Sequence, residues 1–280
     1  MLETLAPTPH RPRLVLTRPD RPRGRGRKLA SPPVADTARV FGIALEQPES
    51  VNDEATRERV AAAAPAAVIV CAFGALLKEP LLSDWEILNV HPSLLPRWRG
   101  AAPIERAIMA GDTETGVSIM RLTAGLDSGP VCLVGSEPIL PDDTYGSLAP
   151  RLQRLGGELL IRALDEHPEF LEQEESGVTY AEKIGPEDRL LDPARPAIEL
   201  ERTVRALHPH IGARLVREDG SLLGVHRAIA VSDGPPKGAL LADGELLLLG
   251  TVDGALDLIC VQPPGGRQMD AAAYIRGHAS

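Results

Sequence analysis

Three prolines punctuate the sixteen residues Asn89–Ile104, NVHPSLLPRWRGAAPI, and limit what this part of the chain can become. Upstream, Glu86-Ile87-Leu88-Asn89-Val90-His91 reads as a short strand. Pro92 ends it, because proline has no backbone N–H for the ladder. A rigid loop bounded by Pro92 and Pro96 follows, and Pro103–Ala110 reads as a helix. Strand side chains alternate between faces, so Asn89 and His91 point the same way. An amide and an imidazole side by side at a strand end suit acyl transfer: the amide can stabilise a developing oxyanion and the imidazole can handle the proton. Taken alone, an Asn or a His in such a place is more often a turn former or a satisfied polar group.

The surrounding pattern gives the pair its setting. Arg13-Leu14-Val15-Leu16-Thr17 reads as a buried strand, followed by a helix that Ser31 can cap and that stops at Gly42. Ile43–Gln47 is a second strand, and Asn52 can cap a helix from Asp53 to about Ala63. Ala66–Ala72, Gly116–Leu122 and Val131–Pro138 read as further extended segments, and Thr144–Glu166 as a long amphipathic helix with Leu148, Leu152, Leu155, Leu159 and Leu160 on its apolar side. Strand and helix alternate, so the expected fold is α/β, a Rossmann-like, largely parallel sheet covered by helices. Ligands of such sheets sit beyond the carboxyl ends of the strands, where Asn89 and His91 lie. The glycine fingerprint of dinucleotide sites is missing from the sequence, which disfavours a nicotinamide enzyme.

Beyond Thr179 the texture changes. A helix near Ile198–Leu207 leads into short apolar runs separated by Asp219-Gly220, Asp243-Gly244 and Asp253-Gly254, each a two-residue hairpin signal. Residues from about 209 onward are therefore expected to form a small antiparallel β-barrel, closed by a last short helix after Gly265–Asp270. His208 and His210 flank Pro209, make no metal-spaced set with acidic residues, and read as linker histidines. No metal site is expected. Cys71, Cys132 and Cys260 are odd in number and far apart, arguing against a disulfide framework, and Cys71 in the run Val68–Ala72 reads as core. No apolar run reaches the length of a membrane span and no signal pattern opens the chain, so a cytoplasmic protein is expected.

The chain carries a net charge of −9, yet Arg11, Arg13, Arg18, Arg21, Arg23, Arg25, Arg27 and Lys28 face Asp20 alone in residues 11–28. A concentrated basic patch on an acidic body can attract phosphates locally while the body repels nonspecific binding. Gly24 and Gly26 between the arginines suit a flexible loop that orders on a partner. Most such runs are merely solvated.

Ser93-Leu94-Leu95-Pro96, the continuation Arg97-Trp98-Arg99-Gly100-Ala101-Ala102-Pro103-Ile104, and the later stretches Gly111–Met120 and Gly125–Val131 together resemble the folate-dependent formyltransferases. The RWRGAAPI continuation resembles the branch that formylates initiator methionyl-tRNA. The resemblance implies a formyltransferase catalytic domain over residues 1–178, a linker and connecting helix over 179–208, and an OB-like tRNA-binding domain over 209–280. It implies 10-formyltetrahydrofolate as the formyl donor and the acceptor stem of initiator methionyl-tRNA as partner, the enzyme being a monomer. Asn89 would donate to the oxyanion, His91 would handle the proton or give a second oxyanion donor, and Asp127 would orient His91 and hold a proton-relaying water. Ser93, Leu94, Leu95 and Pro96 would cradle the folate, with backbone groups and the serine hydroxyl for its polar atoms and the leucines for its pterin or linker. Arg18, Arg21, Arg23, Arg25, Arg27 and Lys28 would contact the tRNA. Arg97 and Arg99 could meet phosphates or substrate, or face solvent. A sugar-nucleotide or other small-amine N-formyltransferase shares this catalytic core, and a noncatalytic tRNA-binding protein is the other alternative. The family also opens with a strand, a glycine-containing turn and a helix. Here Leu2-Glu3-Thr4-Leu5-Ala6 resembles only that helix's tail, so the first strand and most of the first helix are expected upstream of Met1.

Overall fold

The computed structural model describes residues 1–23 and 28–278. The chain falls into two compact units. One comprises Met1–Arg99, Gly116–Ser136 and Leu152–Thr179; the other comprises Gly100–Thr115, Glu137–Arg151 and Tyr180–Ser280.

In the first unit, Leu14–Leu16 pairs in parallel with Ala44–Glu46, and Val68–Val70 pairs in parallel with Ile87–His91. These are parts of different sheets: the first pair stands by itself, while the second extends through Glu114–Arg121 to Val131–Pro138. Ile87–His91 and Glu114–Arg121 run antiparallel, which sets His91 opposite Ser118 and Asn89 opposite Met120. The parallel sense expected from the strand–helix alternation therefore holds on one side of Ile87–His91 and reverses on the other. Helix Tyr145–Glu166 covers the Val90 face of this strand. A Cβ on Gly156 would lie 2.8 Å from Val90 Cγ1, so the helix comes this close only because the residue is glycine. Since Val90 turns toward the helix, Asn89 and His91 turn away from it.

Several local expectations are corrected. Asp53, not Asn52, caps the helix Glu54–Ala63, its carboxylate accepting from Thr56 N at 2.7 Å. The Asn52 amide instead braces a loop, donating to Leu76 O and accepting from Lys78 N. Ser31 caps nothing: Pro32 precedes the helix Pro33–Val40, and the Ser31 hydroxyl accepts from Arg39. Cys71 is exposed rather than core, because it lies one residue past the end of Val68–Val70, an edge strand. The basic segment, expected as a loop, has a hairpin stem in which Arg21–Arg23 pairs with Lys28–Ala30. Arg25 and Arg27 lie outside the described residues.

The second unit is built on one core. Leu200, Val204 and Leu207 of helix Ala197–Leu207 pack with Leu223, Val225, Leu249, Leu256, Leu258 and Val261 from an antiparallel sheet. That sheet runs in the order Ala213–Val216, Leu222–Val231, Ala255–Gln262, Leu246–Gly250, Leu240–Asp243, with Met269–Asp270 also pairing to Ala255–Gln262. All three Asp-Gly pairs fall at hairpin turns, but in different registers. Asp243 pairs with Leu246, leaving Gly244 and Glu245 as the turn, whereas Thr251 N bonds Gly254 O around Val252 and Asp253.

The two histidines read as linker residues are structural. His210 Nε2 bonds Glu105 Oε1 at 2.9 Å, and its ring stacks on Tyr145 at 3.7 Å. His208 lies edge-on to His226, with Nδ1 buried and unpartnered. Burial, followed by the proximity of His226 and His210, holds the His208 pKa below the ordinary histidine value.

Candidate active site

All the residues expected to act on the formyl group lie in the first unit. Asn89 and His91 leave the same face of Ile87–His91, as the period of a strand requires. Asp127 comes from the turn between Glu114–Arg121 and Val131–Pro138. The three converge: Asn89 Nδ2 is 3.4 Å from Asp127 Oδ1, and His91 Nδ1 is 3.7 Å from Asp127 Oδ2. His91 is 3% exposed, so its ring orientation is set by protein groups rather than by solvent.

The ring's direct hydrogen bond goes to a backbone carbonyl rather than to Asp127. His91 Nε2 lies 2.8 Å from the Trp98 carbonyl oxygen. A carbonyl only accepts, so Nε2 must carry the proton. In the neutral ring Nδ1 then holds the lone pair, and that lone pair faces the Asp127 carboxylate across a gap too long for a direct hydrogen bond. The Trp98 carbonyl is aimed by an uncommon backbone: Trp98 has φ +62°, and its N–H donates to Thr179 Oγ1 at 2.9 Å. Asp127 is likewise left-handed, at φ +43°. Two non-glycine residues in this sparsely populated region, both touching one histidine, mark a site whose surroundings over-determine it.

The loop after Pro92 is braced from within. Ser93 is completely buried, and its hydroxyl donates to Arg97 O at 2.6 Å. Its expected role as a hydroxyl for a ligand is corrected, since that proton is already committed to shaping the loop. Ser118, also completely buried, donates to Ser93 O and accepts from Leu95 N. Sequence reasoning gave Ser118 no role, although a lone hydroxyl amid the apolar run Val117–Met120 was a signal. Leu94, Leu95 and Pro96 are half-buried and leave apolar surface on the loop that follows His91.

Arg97 stacks its guanidinium over the Trp98 ring at 4.4 Å. Arg99 faces neither solvent nor an open phosphate position: it is 5% exposed, and its Nε donates to Gln173 Oε1 at 2.9 Å. Of the basic residues, Arg18 donates to the carbonyls of Phe73 and Gly74, and Arg21 pairs with Glu49 on the surface.

Comparison with known proteins places this geometry in context. Residues 8–164 match the model described as formyl transferase, and residues 183–279 match formyl transferase, C-terminal domain. A methionyl-tRNA formyltransferase of Halorhodospira halophila is 42% identical over 287 residues, covering 99% of this chain and 91% of its own. One from Methylococcus capsulatus is 42% identical over 99% of this chain and 92% of its own. Among solved structures, HypX from Aquifex aeolicus in complex with tetrahydrofolic acid superposes with a TM-score of 0.63 at 19% identity, covering 85% of this chain and 43% of its own. The methionyl-tRNA formyltransferase from Clostridium thermocellum superposes with a TM-score of 0.56 at 16% identity, over 72% of this chain and 85% of its own. At these identities the two structures speak for the fold.

Proposed function

Because the chain belongs to the formyl transferase family, we propose that it transfers a formyl group from 10-formyltetrahydrofolate to the methionine amine of initiator methionyl-tRNA. The identity to proteins of that name along nearly the whole chain supports the acceptor. In this reading the enzyme is a cytoplasmic monomer, with residues 1–178 catalytic, 179–208 connecting, and 209–280 assisting the basic segment in holding tRNA.

The observation that carries the reading is the convergence of His91 Nδ1 and Asn89 Nδ2 on the Asp127 carboxylate, with the opposite ring nitrogen of His91 bonded to the Trp98 carbonyl. An amine that attacks a formyl carbon must be neutral and must shed a proton as the bond forms. His91 Nδ1 is the base that takes it and then gives it to the departing folate nitrogen as the bond from that nitrogen to the formyl carbon breaks; Asp127 stabilises the intervening imidazolium without accepting the proton. Asn89 donates to the formyl oxygen as charge gathers on it. The folate, when bound, supplies the activated formyl group. Leu94, Leu95 and Pro96 give its ring an apolar wall, and Ser93 with Ser118 keeps that wall in place.

Replacing His91 tests the assignment. His91→Ala should slow single-turnover formyl transfer by about a hundredfold or more, the usual scale for a lost acid–base group, while folate binding persists. Transfer at near-parental speed would remove His91 from the mechanism.

A further inference from the structure

We infer that Gln173, in the segment that follows the long helix, is a positioning residue for this reaction: it fixes the Asp127 turn relative to the loop that orients His91. The inference rests on the site assignment proposed above.

The Gln173 amide is almost completely used, and in one sense only. Nε2 donates one hydrogen to Asp127 O and the other to Gly129 O, each at 2.8 Å. Oε1 accepts from Arg99 Nε at 2.9 Å. Two carbonyl acceptors on one side and a guanidinium donor on the other fix which end is nitrogen. Its neighbours Glu172 and Glu174 are exposed, whereas Gln173 turns inward.

The segment is anchored on both sides of Gln173. Before it, Leu171 exchanges two backbone hydrogen bonds with Val131, at 2.8 and 2.9 Å. After it, Thr179 O accepts from Arg99 N at 2.9 Å, and Thr179 Oγ1 accepts from Trp98 N at 2.9 Å. Residues 171–179 thus form a strap from the Asp127 turn to the Trp98 carbonyl, with Gln173 joining the two near its start. The turn cannot hold its own shape equally well without such help. Asp127 stands at φ +43°, and Gly129 packs so tightly that an added Cβ would fall 2.0 Å from Arg121 O. Without bonds to its carbonyl, a left-handed aspartate is freer to relax toward the commoner backbone regions. Once it relaxes, the carboxylate loses its place beside His91 Nδ1 and Asn89 Nδ2. Gln173 need not touch substrate for this.

The variants Gln173→Leu and Gln173→Glu separate positioning from packing. Leucine keeps much of the volume and removes all three hydrogen bonds. Glutamate keeps the shape and the partnership with Arg99, but turns a carboxylate oxygen toward the carbonyls of Asp127 and Gly129. With the full chain, charged initiator tRNA and 10-formyltetrahydrofolate, both should lose about tenfold or more in kcat while KM for either substrate stays within about twofold. Relative to the parental chain at the same pH, Gln173→Glu should regain turnover as the pH is lowered, because a protonated carboxyl can again donate to one carbonyl. Gln173→Leu should show no such recovery. If both variants keep parental kcat while His91→Ala is inactive, the site assignment stands and the role of Gln173 is wrong. A drop in melting temperature with kcat per folded enzyme unchanged would also overturn it, by reducing Gln173 to packing. If His91→Ala itself turns over normally, the site assignment falls, and the inference with it.

Discussion

At the scale of single residues, the converging polar trio and the groups that brace it are different parts of the chain. Asn89, His91 and Asp127 were legible because strand period and Pro92 place two of them on one face and a motif supplies the third. What was not legible is how they are held. The Trp98 carbonyl is a backbone group, invisible as a residue type, and Gln173 lies in an acidic stretch, Glu172 to Glu175, that offers no periodicity. Ser93 was misread because a hydroxyl in a loop resembles a ligand donor, whereas complete burial commits it to the chain itself. Ser118→Ala should leave Ser93 O and Leu95 N short of a partner, at about 1–3 kcal/mol for each group left unsatisfied. Denaturant unfolding should show that loss, with threonine at 118 costing less than alanine. Unchanged stability in Ser118→Ala would mean that the loop keeps its shape without the hydroxyl.

Elements were legible wherever the apolar period was long, as in Tyr145–Glu166 and Ala197–Leu207, and less so at their ends. The caps at Ser31 and Asn52 failed because a neighbour one or two positions on offered a better start: Pro32 ahead of Pro33 in one case, the Asp53 carboxylate in the other. The reversal of strand sense beside Ile87–His91 was hidden for another reason. Period alone does not distinguish a parallel neighbour from an antiparallel one, and pairing sense depends on the connection. The basic hairpin carries its own prediction. Replacing Arg21, Arg23, Arg25 and Arg27 by glutamine should weaken tRNA binding and lower the slope of log affinity against log salt by roughly 0.7–0.9 for each phosphate that the protein no longer neutralises. Folate affinity should not move. An unchanged slope would make the hairpin a solvated charge run.

For the molecule as a whole, acid acts on the second unit through a partly buried histidine. In the second unit His208 is held neutral by burial and by His226 and His210, with Glu105 beside His210. Its folded pKa lies below the unfolded value, about 6.5 for histidine. Both states are therefore neutral well above that pH, and the stability linked to His208 is fully present there. As the pH falls below it, the unfolded chain takes up a proton that the folded chain refuses, and stability declines. His208→Asn should flatten the decline in urea midpoint between neutral and mildly acid pH. The same slope in the variant would assign the effect to another group. Formyl transfer to charged initiator tRNA is open to direct measurement. The purified chain is given 10-formyltetrahydrofolate with charged initiator methionyl-tRNA, with the same tRNA uncharged, or with an amino-sugar nucleotide, and formyl transfer is measured for each. Formylmethionyl-tRNA from the charged tRNA and negligible product from the other two are expected. Binding of tRNA without formylation, or preferential formylation of the amino sugar, would contradict the proposed function.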